Sequence, residues 1–213
     1  MTSRSKPARS CGTARPYRRG CGAARTRVND SLDAIVDDYL AIEARDHADE
    51  VVHYGTKRTS PRDAVRTAAC SIEANGNQHS HQRRIGKARM RDVADRLAPH
   101  AETLTAYRDF DALHDRVESL AGGMERIGEL AVYDVAERIG MYGGVEPRQV
   151  YLHSGTLKGA KELFPDLRGN RLAMSALPPP LRRLTAAQVE NLLCIYKARL
   201  RALRQKGRVA APV

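Results

Sequence analysis

A chain of 213 residues is long enough for one compact domain with a substantial core, and two would be cramped. Apolar residues make up 42% and charged residues 29%, and no window approaches the roughly 18 uninterrupted apolar residues of a membrane-spanning helix, which excludes one. The net charge of +11 sits at the ends: residues 1–29 hold eight Lys or Arg and residues 191–213 hold six, both without an acid, leaving 22 bases against all 25 acids between them.

The body of the protein is therefore not basic. Trp is absent and Phe occurs twice, so the core must be built from Leu, Val, Ile, Ala and Tyr. Cys11, Cys21, Cys70 and Cys194 are too scattered for a zinc module or a disulfide framework, and a reducing cytoplasm is the expected compartment.

Residues 1–29 have few apolar residues beyond alanine and no periodicity, and are expected to be a disordered basic segment. An Arg- and Ser-rich, acid-free leader suits an organellar transit peptide or a DNA-binding arm, and the simplest reading is a tail. The folded domain is placed at 30–213 and its pattern is helical throughout. Leu32, Ile35, Val36, Tyr39 and Ile42 mark a first helix. Ser60 as N-cap and Pro61 in the first turn open a second, and a polar loop at 75–82 follows. Met90, Val93, Ala94 and Leu97 mark another helix, and Asp109 caps the next. The segment after Leu163 is irregular and broken by three prolines at 178–180. Thr185 with Gln188 forms a capping box for a last helix, with Val189, Leu192, Leu193, Tyr196, Leu200 and Leu203 on one stripe. With no alternating run to argue for a sheet, the fold class is all-α.

Gly128 stands between two amphipathic helical runs, the first ending near Ile127 and the second starting at Glu129. A short hairpin there would deliver backbone N–H groups and a helix N-terminus to one point, which is an anion site, and glycine is required if a phosphate approaches the main chain closely. A plain helical hairpin with a glycine cap accounts for the same residues.

What surrounds it resembles the helix-hairpin-helix DNA glycosylase superfamily over roughly residues 65 to 164. The family's P-G-hydrophobic-G hairpin falls on Glu125, Arg126, Ile127 and Gly128, and its V-D-x-H-V segment, which opens a helix, falls on Val150, Tyr151, Leu152, His153 and Ser154. The resemblance implies double-stranded DNA as partner, with hairpin contacts from Arg126, Ile127, Gly128 and Glu129. It also implies a Gln/Asn-rich loop, here Asn77, Gln78 and Gln82, that plugs the gap left by a flipped base. Arg83 and Arg84 would hold flanking phosphates; an ordinary solvated loop is the alternative. Lys158 and Lys161 are either further phosphate contacts or solvated charges.

The departures matter. Leu130 replaces the lysine of bifunctional members, which argues against lyase chemistry, and Tyr151 replaces the catalytic aspartate. A neutral phenol cannot supply the charge that stabilises the oxocarbenium-like sugar. Glu129, Asp134 and Glu137 are candidates for a relocated carboxylate. Asp134 is the foremost, against a surface ion pair with Arg138 four residues on. His153 would orient or protonate, or be a buried structural histidine; Tyr151 would stack on the base, hydrogen-bond to it, or pack. His79 and His81 are a weak metal signal, so no metal or cofactor is expected. Lys197, Arg199, Arg201 and Arg204 suit DNA contacts, or the dipole at the end of the last helix.

The expected function is that of a monofunctional DNA glycosylase. Such an enzyme flips a damaged or modified base, such as a modified base of invading DNA, and cuts its N-glycosidic bond. The chain is expected to be monomeric and cytoplasmic, without a membrane partner. The alternatives are a non-enzymatic helix-hairpin-helix DNA-binding protein, and an RNA or protein interaction domain.

Overall fold

The computed structural model describes residues 31–42 and 44–207. The expectations for residues 1–29 lie outside them. Among the described residues the chain is mostly helical, and no helix is long and apolar enough to cross a membrane. Helix α1 (Leu32–Ile42) starts where the Ser31 hydroxyl accepts the Ala34 N–H, and buries Ile35, Val36 and Tyr39 on one face. A second helix, α2 (Ala44–Val51), runs into a π-helical turn at Val52–Thr56. Local capping fixes the next boundaries. Ser60 accepts the Asp63 N–H at 3.2 Å, with Pro61 as the first residue of α3 (Pro61–Cys70). Then come α4 (Lys87–Leu97) and α5 (Ala101–Ala106). Asp109 accepts the Ala112 N–H at 2.9 Å and caps α6 (Phe110–Ala121).

α6 and α7 (Glu129–Gly143) form a helical hairpin, and α7 ends on Gly144 in the left-handed conformation. The chain then pairs β1 (Gln149–Tyr151) antiparallel with β2 (Arg171–Ala173), with Val150 opposite Leu172. The regular elements of the described residues are otherwise helical, consistent with the all-α expectation, and strands of three residues are too short to show alternation in a sequence. Between the strands lies α8 (Ser154–Leu163). The segment at 174–183 consists of 3-10 turns, as the prolines suggest. The capping box at Thr185 and Gln188 is present and starts α9 (Ala186–Ile195). The single last helix of the sequence reading is two, since the chain bends at Tyr196 before α10 (Lys197–Gln205).

The apolar residues collect into two cores. The first joins α3 to α7 through residues such as Val65, Met90, Leu97, Leu113, Val117 and Ile139. The second joins α1 to α8, α9 and α10 through Ile35, Leu163, Leu192, Leu200 and Leu203. β1 serves both, because successive strand residues face opposite ways: Val150 lies in the second core and Tyr151 in the first. Three of the four basic residues of α10 bind acids of neighbouring helices. Arg199 reaches Asp38 on α1 at 2.6 Å, and Arg201 and Arg204 reach Glu162 on α8 at 2.9 and 3.6 Å. Neither DNA contact nor the helix dipole is needed to explain them.

Candidate active site

The hairpin turn occupies Gly122–Gly128. Ile127 is buried in the first core and anchors it, so the expectation of a DNA contact from Ile127 is corrected. Gly128 is extended (φ −105°, ψ 178°), and a Cβ there would meet nothing within 4 Å. The fold itself therefore does not require glycine at 128. The left-handed residue of the turn is Arg126 (φ 67°), a conformation that costs a non-glycine residue about 1–2 kcal/mol. The Arg126 guanidinium donates to the Arg84 carbonyl, and Arg89 pairs with Glu125, tying the turn to the start of α4. Gly128 and Glu129 are exposed; the Ala131 and Val132 N–H groups donate to the Gly128 carbonyl, and those of Glu129 and Leu130 precede this first rung of the α7 ladder. Gly128→Val is expected to leave the melting temperature unchanged, because the site is open and the backbone suits a β-branched residue. It is expected to weaken duplex binding. A collapsed melting temperature with unchanged binding would reduce Gly128 to a helix cap.

The proposed plug is rearranged. Asn77 is exposed at the loop tip, but Gln78 and Gln82 are buried, Gln82 to 1% exposure. The Gln82 amide donates to the Asp134 carboxylate, so Gln82 and Gln78 do not project toward DNA as expected. Arg83 and Arg84 are exposed beside Arg126, which forms a basic rim on one flank of the hairpin. Lys158 and Lys161 are exposed on α8, which packs mainly against α9 and α10, and nothing brings them to this rim.

Beyond the hairpin, α7 carries charge into the space between the two cores. Asp134 and Arg138 are 3.9 Å apart and only 11% and 7% exposed, so their pair is buried rather than superficial. Arg138 also donates to the Ser71 hydroxyl at 2.9 Å and lies over the Tyr54 ring, which partly compensates its desolvation. Glu50 from α2 and His79 from the polar loop face each other at 3.2 Å. Burial and then the Arg138 charge hold His79 down to about 2, so it is neutral. Burial pushes Glu50 up to about 7, with Arg138 opposing and Asp134 and Glu73 adding. Glu137 is raised well above the carboxylate range by burial first and then by Glu190, Glu50 and Asp134. On the far side His153, the N-cap residue of α8, places Nε2 2.7 Å from Glu190 Oε1, and the Thr156 hydroxyl donates to the same oxygen at 2.5 Å.

The Glu50 shift gives a pH test. Between pH 4.5 and about 7 the folded chain holds a proton that the unfolded chain has lost, so Glu50 removes stability as pH rises through that window. Glu50→Gln is expected to raise the melting temperature at pH 8 and not at pH 4. Equal effects at both pH values would contradict a half-buried Glu50 that holds its proton.

Tyr151 stands apart from these carboxylates. Its hydroxyl donates to Asp111 at 2.6 Å, Arg171 lies over its ring, and its ring packs 5.2 Å from Tyr133 and 4.7 Å from His114. Burial and the Asp111 hydrogen bond raise its phenol, keeping it neutral. Of its expected roles, packing is the one the contacts describe.

His153 divides two small cavities at the start of α7. One, about 50 Å³, is lined by Leu130, Asp134, Arg138, Glu190 and His79. The other, about 70 Å³, is lined by Glu129, Tyr133, Tyr151, His114 and Arg171. A larger cavity of about 440 Å³ lies by Met141 and Arg148, with Glu137 in its wall. At a rise of 1.5 Å per residue it sits roughly 20 Å along α7 from Gly128, beyond reach of a base anchored at the hairpin. Among the described residues His114, Asp115 and Glu118 carry ligand atoms within 4.8 Å of one another, but Arg171 already stands 3.5 Å from Asp115. The sequence reading missed Glu50 and Glu190 and gave His79 only a metal role. Glu190 had a signal: a lone acid within the apolar run of α9. No protein-family model, curated protein or solved structure matches the chain.

Proposed function

We propose that the chain is a DNA glycosylase-like enzyme of helix-hairpin-helix type, cleaving the N-glycosidic bond of a base flipped out of duplex DNA. One observation carries the reading: a single helix, α7, begins at an exposed hairpin with a basic rim and leads directly to a buried carboxylate. Gly128 and Asp134 are six residues apart, about 9 Å along the axis, the scale of a nucleotide turned inward from its phosphate. Hairpin N–H groups with Arg83, Arg84 and Arg126 hold phosphates, and Asp134 stabilises the sugar cation from a low-dielectric site. Leu130 lines the same cavity, where no amine is present to form a Schiff base, so hydrolysis to an abasic site is the reaction. Each cavity holds about two waters' volume, so base entry displaces rim side chains.

Incubation with duplexes each carrying one modified base, followed by alkali, tests the reading. Strand scission at the modified position is expected for at least one duplex. Salt-dependent binding without scission would instead make the chain a non-enzymatic DNA-binding protein.

A further inference from the structure

The Tyr133 hydroxyl and both ring nitrogens of His153 are buried without a hydrogen bond, and of the three atoms His153 Nε2 has an ion-pair partner, Glu190 at 2.7 Å. Native proteins rarely leave such atoms unsatisfied, and each calls for a partner, an ordered water, an ion or a ligand group. Both side chains line the cavity that Tyr151, His114 and Glu129 also line, and their rings lie 5.6 Å apart. Glu190, whose Oε1 is held by Thr156, pairs with Nε2, which leaves Nδ1 as the ring nitrogen without any partner.

We propose that this cavity receives the edge of a guanine-type base that presents two adjacent acceptors, O6 and N7, and that His153 Nδ1–H protonates N7 as the base departs. The inference rests on the glycosylase reading. Two donors select this edge: adenine pairs its N7 with an amino donor, cytosine presents a donor, and thymine a methyl beside one acceptor. The phenol is held neutral and donating, since burial and then Glu137, Glu190 and Asp134 raise it well above its ordinary range. Burial opposes charge on His153, but Glu190, Asp134 and Glu129 outweigh it and raise the imidazole. His114 and Glu118 on α6 and Arg171 on β2 face it across one cavity; Arg138, Glu137 and Glu50 face it across the other. In the step the C1′–N9 bond breaks with its electron pair going to the base, and the Nδ1 proton moves to N7. Water adds to C1′, and the proton it sheds restores the imidazolium. His114, packed on Tyr151, lines the same cavity.

The test is single-turnover release from duplexes carrying hypoxanthine, an N2-alkylguanine, adenine, or 7-deazahypoxanthine, which lacks the N7 acceptor. Hypoxanthine or the N2-alkylguanine is expected to be released, with adenine and the deaza probe at least about 100-fold slower, the scale of general acid catalysis. Tyr133→Phe removes only a hydroxyl that bonds nothing in the protein, and is expected to slow release about 10-fold with unchanged melting. Glu190→Gln is expected to move the alkaline fall in rate to lower pH. Release that ignores N7, Tyr133→Phe or Glu190→Gln overturns the inference and leaves the glycosylase reading standing. Absence of release from every duplex, including a wider set of modified bases, overturns both.

Discussion

Gly159→Val is expected to abolish the cooperative unfolding transition. A Cβ on Gly159 would stand 1.9 Å from the Leu193 carbonyl oxygen and 2.7 Å from its carbon. Both are backbone atoms within α9, so no side-chain rotation relieves the overlap. α8 would have to lift from α9, separating Leu163 and Ala160 from Val189, Leu192 and Leu193 in the second core. Overpacking by extra methylenes costs about 1–3 kcal/mol where side chains can shift. A backbone collision at a helix crossing costs more, against a net stability of roughly 5–15 kcal/mol for a domain. The same displacement would pull His153, at the head of α8, away from Glu190. Circular dichroism across a thermal ramp reads the result. A melting temperature within a few degrees of the parent chain would show that α8 and α9 do not cross here.

Asp134→Asn is expected to lower single-turnover base release by about 100- to 1000-fold, the usual cost of removing one preorganised charge from a transition state. The change is nearly isosteric. The Asn oxygen can still accept from Gln82, and Arg138 keeps Ser71 and the Tyr54 ring. Removing one partner from a buried ion pair still lowers stability, so the rate must be read below the variant's melting temperature. Duplex affinity should be retained, because the hairpin and its basic rim lie outside the cavity. Loss of binding in parallel with loss of rate would assign Asp134 to the structure of α7 alone.

What the sequence disclosed about the fold was local. Ser60, Asp109 and the Thr185–Gln188 pair were legible because a cap is decided within four residues. The bend at Tyr196 was not, because the apolar stripe of α9 continues in phase through α10. Nor was the burial of Gln78 and Gln82. Amides in a glycine- and asparagine-rich loop read as solvated, and they turn inward only because a charged cleft lies beneath them. The cleft is assembled from Glu50, His79, Asp134 and Glu190, separated by up to 140 positions. No spacing rule connects residues that four different segments bring together. Asp134 and His153 could be singled out because each lies beside a motif that has a pattern of its own. Gly128 was rightly placed at the hairpin for a reason the backbone does not share: its conformation there suits any residue, and Arg126 carries the left-handed one.

The most direct test of the account compares the full chain with Asp134→Asn on duplexes that each hold one modified base, scoring alkali-labile sites under single turnover with protein in excess. The account predicts at least one duplex that the parent chain converts to an abasic site, and that Asp134→Asn binds with similar affinity but leaves intact. Equal conversion by both proteins would contradict the role given to the cleft. Tight binding with no conversion by either would contradict the activity itself.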